Sequence, residues 1–424
     1  MAGMRKKTVI IGLDGVPYGL LNRLAEEKIM PNFFSLKKKS LFIKMRSSIP
    51  PLSSISWSSI ITGKNPGQHN IFGFIELMPE TYSLRFPNFN NLKAKPFWQK
   101  RKDKQFVILN VPSTYPVQPL NGIHLSGFIS LDLKKAIYPE KYFSVLEKMN
   151  YQVDVDSSLA HQSKSLFLSK LKQSVGMRMK AVKFFWQEIN WDVLMIVFTG
   201  TDRLGHFFIN SLKDREDQYY QSCLDYFSHL DRAIGEIVKK INKKDSLLML
   251  SDHGMGEMKI NVNINFFLRK KGFLDLDERL KSYNQITSKT KAFALDPARI
   301  YVHLEKKYAR GRVSISDKEK VIKKLIGVFK DLKYRERKVI KKIYRQEEVY
   351  KGRYLKNSPD LVLLPEKGFR LRGTIEAERL FKKDVFTGEH TLEDAFFLIK
   401  SSQIESLPEN FTVEDFEPLL QKLM

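Results

Sequence analysis

The chain of 424 residues, 42% hydrophobic and 12% aromatic, has enough apolar content to bury a large core, as one big domain or two ordinary ones. Its single cysteine, Cys223, excludes an intramolecular disulfide and any thiolate zinc motif, and no run approaches the roughly 18 apolar residues of a membrane span. The 72 Lys and Arg against 47 Asp and Glu leave a net charge of +25, which argues for an anionic partner or substrate and for no particular fold.

At the start, the basic run Arg5-Lys6-Lys7 leads into a short apolar stretch that stops at Asp14 without a small-residue cleavage site. No secretory signal is therefore expected, and the expected location is cytoplasmic. Strands are predicted near residues 7–13, 105–110, 192–199 and 246–251, and helices over about 17–39, 54–62, 163–189 and 214–242. This alternation predicts an α/β fold with a mostly parallel, doubly wound sheet and helices on both faces. In such sheets ligands gather beyond the carboxyl ends of the strands. Asp14 and Asp252 follow two of the predicted strands directly, and Asp202 follows a third by a few residues.

With these three carboxylates go His206, His253, His390 and the hydroxyl of Ser53, a set of hard ligands that suggests a metal-dependent hydrolase. Asp202 and His206 are four apart, so one helical turn puts both on one face. Asp252 and His253 are adjacent, so a loop is needed to aim both at one ion, and Gly254 is expected to supply the backbone freedom. Ser53 precedes the predicted helix, whose first amides can receive phosphate oxygens. Residue by residue, plainer readings stand beside these. Ser53 is one of five serines between Ser53 and Ser59 and reads as a helix N-cap, Asp14 before a glycine reads as a turn residue, and each histidine reads as a half-buried structural one.

Residues 313–356 carry 15 basic and 6 acidic side chains. Within them Ser316 and Glu319 have capping-box spacing, and Val321, Ile322, Leu325, Ile326, Phe329 and Leu332 recur at helical intervals. The expectation is an amphipathic helix with a solvated lysine face, with phosphate steering or a membrane-surface role as the alternative. The expected division is a catalytic core of 1–262 and 357–424 with a basic insertion or cap of 263–356.

The segment Pro50-Pro51-Leu52-Ser53-Ser54-Ile55-Ser56-Trp57-Ser58-Ser59-Ile60-Ile61-Thr62-Gly63-Lys64-Asn65-Pro66-Gly67 resembles the nucleophile segment of the type I phosphodiesterase and nucleotide pyrophosphatase family, in the alkaline phosphatase superfamily. Leu13-Asp14-Gly15, Thr201-Asp202-Arg203-Leu204-Gly205-His206, Ser251-Asp252-His253-Gly254-Met255-Gly256 and Thr387-Gly388-Glu389-His390 resemble its other metal-site motifs, in the family's order. Asn110-Val111-Pro112 and Thr114-Tyr115-Pro116 also resemble cytosolic prokaryotic members.

The resemblance implies an alkaline-phosphatase-like fold and two divalent ions, zinc in the first instance, with manganese or another divalent metal as alternatives. One ion would be held by Asp14, Ser53, Asp252 and His253, and the other by Asp202, His206 and His390. Ser53 would be the nucleophile of a phosphodiester or pyrophosphate hydrolysis, with Asn110 and Tyr115 lining the pocket for a small anionic phosphate ester. Nucleic acid is not required as a partner. One departure is Phe74, where eukaryotic members hold a phosphate oxygen with an asparagine. Another is the absence of a glycine in Thr391-Leu392-Glu393-Asp394-Ala395-Phe396.

Rival readings are a phosphomonoesterase or phosphomutase of the same superfamily, and a non-catalytic binder of nucleic acid or anionic surfaces, whose affinity would depend steeply on salt. A sulfatase would need a Cys/Ser-x-Pro-x-Arg context, which Ser53-Ser54-Ile55-Ser56-Trp57 lacks.

Overall fold

The computed structural model describes residues 6–424, so Arg5 of the basic run lies outside the described residues. The chain divides into two compact units, one of residues up to 64, 88–256 and 390–424, the other of residues 65–87 and 257–389. The expected insertion, 263–356, falls within the second unit, which also takes in 65–87, 257–262 and 357–389.

The first unit is built on eight strands: β1 (Thr8–Leu13), β2 (Leu41–Met45), β3 (Phe106–Val111), β4 (Gly122–Ser126), β5 (Ile137–Tyr138), β6 (Val193–Phe198), β7 (Ser246–Leu250) and β8 (Ala395–Lys400). Their order across the sheet is β2-β8-β7-β1-β6-β3-β4-β5. The centre is parallel, since β1 pairs with β6 and β7, and β3 with β6 and β4, all in the same direction. Every residue of β1, β3, β6 and β7 is buried, as expected for strands covered on both faces. The four strands predicted from apolar runs are these four.

The edge explains how distant residues meet. β8 runs antiparallel to both β7 and β2. Its first residue, Ala395, therefore lies at the same edge as the last residues of β1, β2, β6 and β7. Asp14, the segment leading to Ser53, the helix bearing Asp202, and Asp252 all leave that edge, and His390 enters it.

The predicted helix over 17–39 is two helices, Tyr18–Glu26 and Pro31–Lys37. Lys28 between them has φ 60°, and Pro31 fixes the start of the second, so no continuous helix passes through. That second helix is capped from elsewhere in the chain: Asp231 accepts the backbone N–H groups of Asn32 and Phe33 at 2.9 and 2.8 Å. The helix predicted from 214 begins only at Tyr220, after a turn in which Asp217 accepts the Tyr219 N–H at 2.8 Å.

In the second unit, an antiparallel sheet of Ala292–Leu295, Arg299–Val302, Leu361–Pro365 and Ile340–Arg345 shares a core with the helix Lys318–Lys330. Val321, Ile322, Leu325 and Phe329 of that helix are buried, as the periodicity predicts. The predicted capping box does not form. Asp317 is the N-cap, Ser314 Oγ accepts the Asp317 N–H at 3.1 Å, and Glu319 instead pairs with Arg345 at 2.5 Å. Among the described residues no helix is long and apolar enough to cross a membrane.

Four histidines outside this sheet edge contact neighbouring side chains or backbone. His69 Nδ1 accepts the Ile71 N–H at 3.1 Å, His303 Nε2 lies 2.6 Å from the Tyr82 hydroxyl, and His161 meets Phe207 edge-on. His124 is sealed between Phe89 and Trp98, and burial pushes its pKa down to about 3. Its folded pKa lies below the ordinary 6.5, so the stability it contributes is present above about 6.5 and lost as pH falls toward 3. His124→Phe is therefore expected to move the acid-unfolding midpoint, followed by circular dichroism, to lower pH; an unmoved midpoint would count against this account.

Candidate metal centre

Ser53 opens the helix Ser53–Thr62, with Leu52 as N-cap and no side-chain cap. The hydroxyl is thus not spent on capping. It lies 2.9 Å from His253 Nε2 and 3.5 Å from Asp14 Oδ1, buried with both. Asp202 and His206 lie on one helix, Gly200–Phe208, at the predicted one-turn spacing. Asp202 Oδ1 is 3.4 Å from His206 Nε2 and 3.2 Å from His390 Nε2, while the two imidazole Nε2 atoms are 3.0 Å apart. His253 Nε2 is 3.3 Å from Asp252 Oδ2 and 3.8 Å from Asp14 Oδ1, and its ring stacks on His390 at 3.6 Å.

All seven predicted residues therefore meet at one sheet edge. Two groups have ligand atoms mutually within 4.8 Å and are placed to hold a cation: Asp202, His206 and His390, and Asp14, Asp202 and His253. The second group joins Asp202 to the set expected around Ser53, so this aspartate faces both halves of the cluster.

The donors fit a divalent metal. His253 Nδ1 faces the Gly254 carbonyl at 3.0 Å and His390 Nδ1 faces the Pro51 carbonyl at 3.1 Å. Donating Nδ1–H to those carbonyls turns both Nε2 lone pairs toward the centre, the tautomer a metal requires. Asp252 Oδ1 accepts the Gly15 N–H at 3.1 Å, whereas its Oδ2, fully buried, has no hydrogen-bond partner. Such an oxygen is costly unless a cation meets it.

Charge balance agrees. Burial, reinforced by Asp252 and Asp202, raises the Asp14 carboxyl well above the usual range, and burial pushes Asp252 up to about 7. Burial opposes ionisation of Asp202 too, yet His206, His390 and Arg203 hold its carboxyl well below the usual value. His253 is driven down to about 3 by burial, which keeps it neutral and free to ligate. Crowded carboxylates that resist ionisation are short of positive charge.

Local packing fixes the ligands. Trp57 Nε1–H donates to Asp14 Oδ2 at 3.0 Å, the Thr201 hydroxyl donates to the Asp14 carbonyl at 2.6 Å, and Ser47 Oγ–H donates to the Asp252 carbonyl at 2.7 Å. Gly15 turns the chain at φ 68°, where a Cβ would also stand 3.1 Å from Asp202 Oδ1. Gly254 needs no unusual φ; a Cβ there would collide with the Asp394 backbone at 2.9 Å. The reason for this glycine is close approach and not the expected backbone freedom.

Asn110 is fully buried, donating to the Val197 carbonyl at 3.2 Å and accepting the Tyr151 hydroxyl at 3.1 Å. Its amide ties β3 to Val197 of the neighbouring β6. Tyr115 is half-buried, with its carbonyl accepting the Phe89 N–H at 2.8 Å. Sequence reasoning missed Trp57, although its position four residues after Ser53 put both on one helix face. It also missed the half-buried pair of Arg203 and Asp154, 2.6 Å apart. Arg203 adjoins a named ligand, but nothing in the sequence marks Asp154.

A family model described as type I phosphodiesterase / nucleotide pyrophosphatase matches residues 8–392. Compared with curated protein sequences, the chain has no significant match. Among solved structures, phosphonoacetate hydrolase from Sinorhizobium meliloti 1021 in complex with phosphonoacetate is similar at TM-score 0.68 and 13% identity, over 99% of this chain and 96% of that one. Murine ectonucleotide pyrophosphatase / phosphodiesterase 5 is similar at TM-score 0.58 and 13% identity, over 99% and 95%. Its human counterpart gives 0.59 and 12%, over 99% and 94%. With a sheet of this order and a family match over nearly its whole length, the chain belongs to the type I phosphodiesterase / nucleotide pyrophosphatase family of the alkaline phosphatase superfamily and is a phosphoric ester hydrolase.

Proposed function

We propose that the protein hydrolyses phosphodiester or pyrophosphate bonds of a small, nucleotide-type anion through a phosphoryl-serine on Ser53. The observation that carries this reading is the Ser53 hydroxyl, buried among Asp14, His253 and the rest of the ligand cluster instead of capping its helix. Asp14, Ser53, Asp252 and His253 would hold one divalent ion, and Asp202, His206 and His390 the other, with zinc the metal best suited to this mixture of imidazole and carboxylate. When bound, two such ions supply positive charge to the attacking and departing oxygens.

The chain's own part is positioning and covalent capture. Ser53 Oγ loses its proton to water and bonds to phosphorus as the bond to the leaving oxygen breaks; that oxygen departs with the electron pair and is protonated by solvent. Water then attacks the phosphoryl-serine, and Ser53 Oγ leaves phosphorus and regains a proton. The Trp57, Thr201 and Ser47 hydrogen bonds keep the acids that surround Ser53 in register throughout. A cytoplasmic place of action belongs to this reading, in keeping with a lone, buried, unpaired Cys223.

The reading is tested by assaying the metal-loaded protein on bis(p-nitrophenyl) phosphate, p-nitrophenyl phosphate and dinucleoside polyphosphates. The expected order of kcat/KM places a diester or a polyphosphate first. A clear preference for the monoester would replace this reading with the phosphomonoesterase or phosphomutase alternative.

A further inference from the structure

Beside Asp202, the helix Gly200–Phe208 carries a charge that the chemistry above does not use. Arg203 Nε and Nη2 both donate to Asp154 Oδ2, at 3.1 and 2.6 Å. The other Asp154 oxygen accepts the Thr199 hydroxyl at 3.4 Å, and the guanidinium lies 4.3 Å from the centre of the Phe128 ring. Both side chains are half-buried, at 17% and 16% exposure. The arginine is therefore held on one edge by a carboxylate and on one face by an aromatic ring.

Its remaining edge is the informative one. A guanidinium presents five N–H groups in a fixed plane. Asp154 meets the edge formed by Nε and Nη2. Nη1 lies 3.7 Å from Asp202 Oδ2, close enough for attraction but beyond hydrogen-bond distance. Two N–H groups of a half-buried cation thus stand beside the carboxylate whose other oxygen faces His206 and His390. An ion pair, whether half-buried or exposed, is poor value for stability alone, because desolvation, screening and side-chain ordering offset most of the attraction. A rigid fork with one edge already satisfied is, by contrast, well prepared to receive a phosphate oxygen without reorganising.

We propose that Arg203, positioned by Asp154, forms an anion subsite for a second charged phosphoryl group of the substrate, next to the one that Ser53 attacks. The favoured substrate class is then a pyrophosphate-linked ester, since a simple diester has no second charge to offer Nη1. This inference rests on the Ser53 reading for which phosphoryl group is attacked.

Calorimetry on the metal-loaded protein, with inorganic pyrophosphate and inorganic phosphate as probes, tests the subsite without relying on turnover. The wild type is expected to prefer pyrophosphate by roughly 10- to 100-fold, the value of a hydrogen bond to a charged group. Arg203→Met is expected to erase most of that preference, and Arg203→Lys to restore part of it. In turnover, Arg203→Met should lower kcat/KM for a dinucleoside polyphosphate far more than for bis(p-nitrophenyl) phosphate. Metal content is measured in each variant. If Arg203→Met fails to fold, Asp154→Asn with Arg203→Met removes the half-buried pair as a unit and carries the same ratio test. A preference ratio unchanged by these substitutions, or an equal loss for both anions, overturns the subsite. A wild type that shows the preference but hydrolyses none of the substrates would sink the Ser53 reading and leave the subsite standing.

Discussion

Ser53→Ala is expected to lower kcat by on the order of 10⁴-fold or more, as removal of a covalent nucleophile does elsewhere. Ser53 sits at the first position of its helix without a capping role, so the helix loses no cap with the hydroxyl. Asp14, Asp252 and His253 remain to hold a cation, and the expected stability change is under about 1.5 kcal/mol for one lost hydrogen bond. Activity on bis(p-nitrophenyl) phosphate, metal content and thermal melting, measured together, separate loss of chemistry from loss of the site. A variant that keeps its activity within tenfold, an order of magnitude that positioning alone can account for, would show water and not Ser53 to be the attacking group.

Chelation of divalent cations is expected to have an effect of the same order, and its pH dependence can be given a sign. Burial and neighbouring carboxylates raise Asp14 well above the usual carboxylate range, and burial pushes Asp252 up to about 7, so in the metal-free protein Asp252 carries a proton below about pH 7. A bound dication favours the ionised form and expels that proton. Cation uptake should therefore release protons, and apparent affinity should fall as pH falls below about 7. Calorimetric titration with zinc at pH 6 in two buffers of different ionisation enthalpy measures the release. Uptake without proton release would contradict the burial of these acids in the metal-free state.

How much of this was legible beforehand follows from what a sequence records. Short apolar runs ending at Asp14, near Asp202 and at Asp252 revealed three central strands, because a strand buried on both faces has little choice of composition. The one-turn spacing of Asp202 and His206 likewise survived into the structure. The antiparallel direction of β8 was not foreseen, yet it is what brings His390 to the edge where the parallel strands end.

Other features depend on contacts that no local pattern encodes. The break at Lys28 in the predicted 17–39 helix is stabilised by Asp231, about 200 residues away, an instance of tertiary context overriding periodicity. Ser316 and Glu319 had the right spacing for a capping box, but Glu319 found a better partner in Arg345. Asp154 was invisible for the same reason: its role is set by a guanidinium 49 positions further along the chain.

We propose that these acids and imidazoles form a two-cation centre on which turnover depends. It is tested most directly by titrating chelator-treated protein with zinc while metal bound per chain and hydrolysis of bis(p-nitrophenyl) phosphate are followed in parallel. The account predicts negligible hydrolysis without metal and a rise that saturates as the second ion binds, in keeping with a two-metal centre. Full activity in the metal-free protein, or saturation with no stoichiometric uptake, would contradict it.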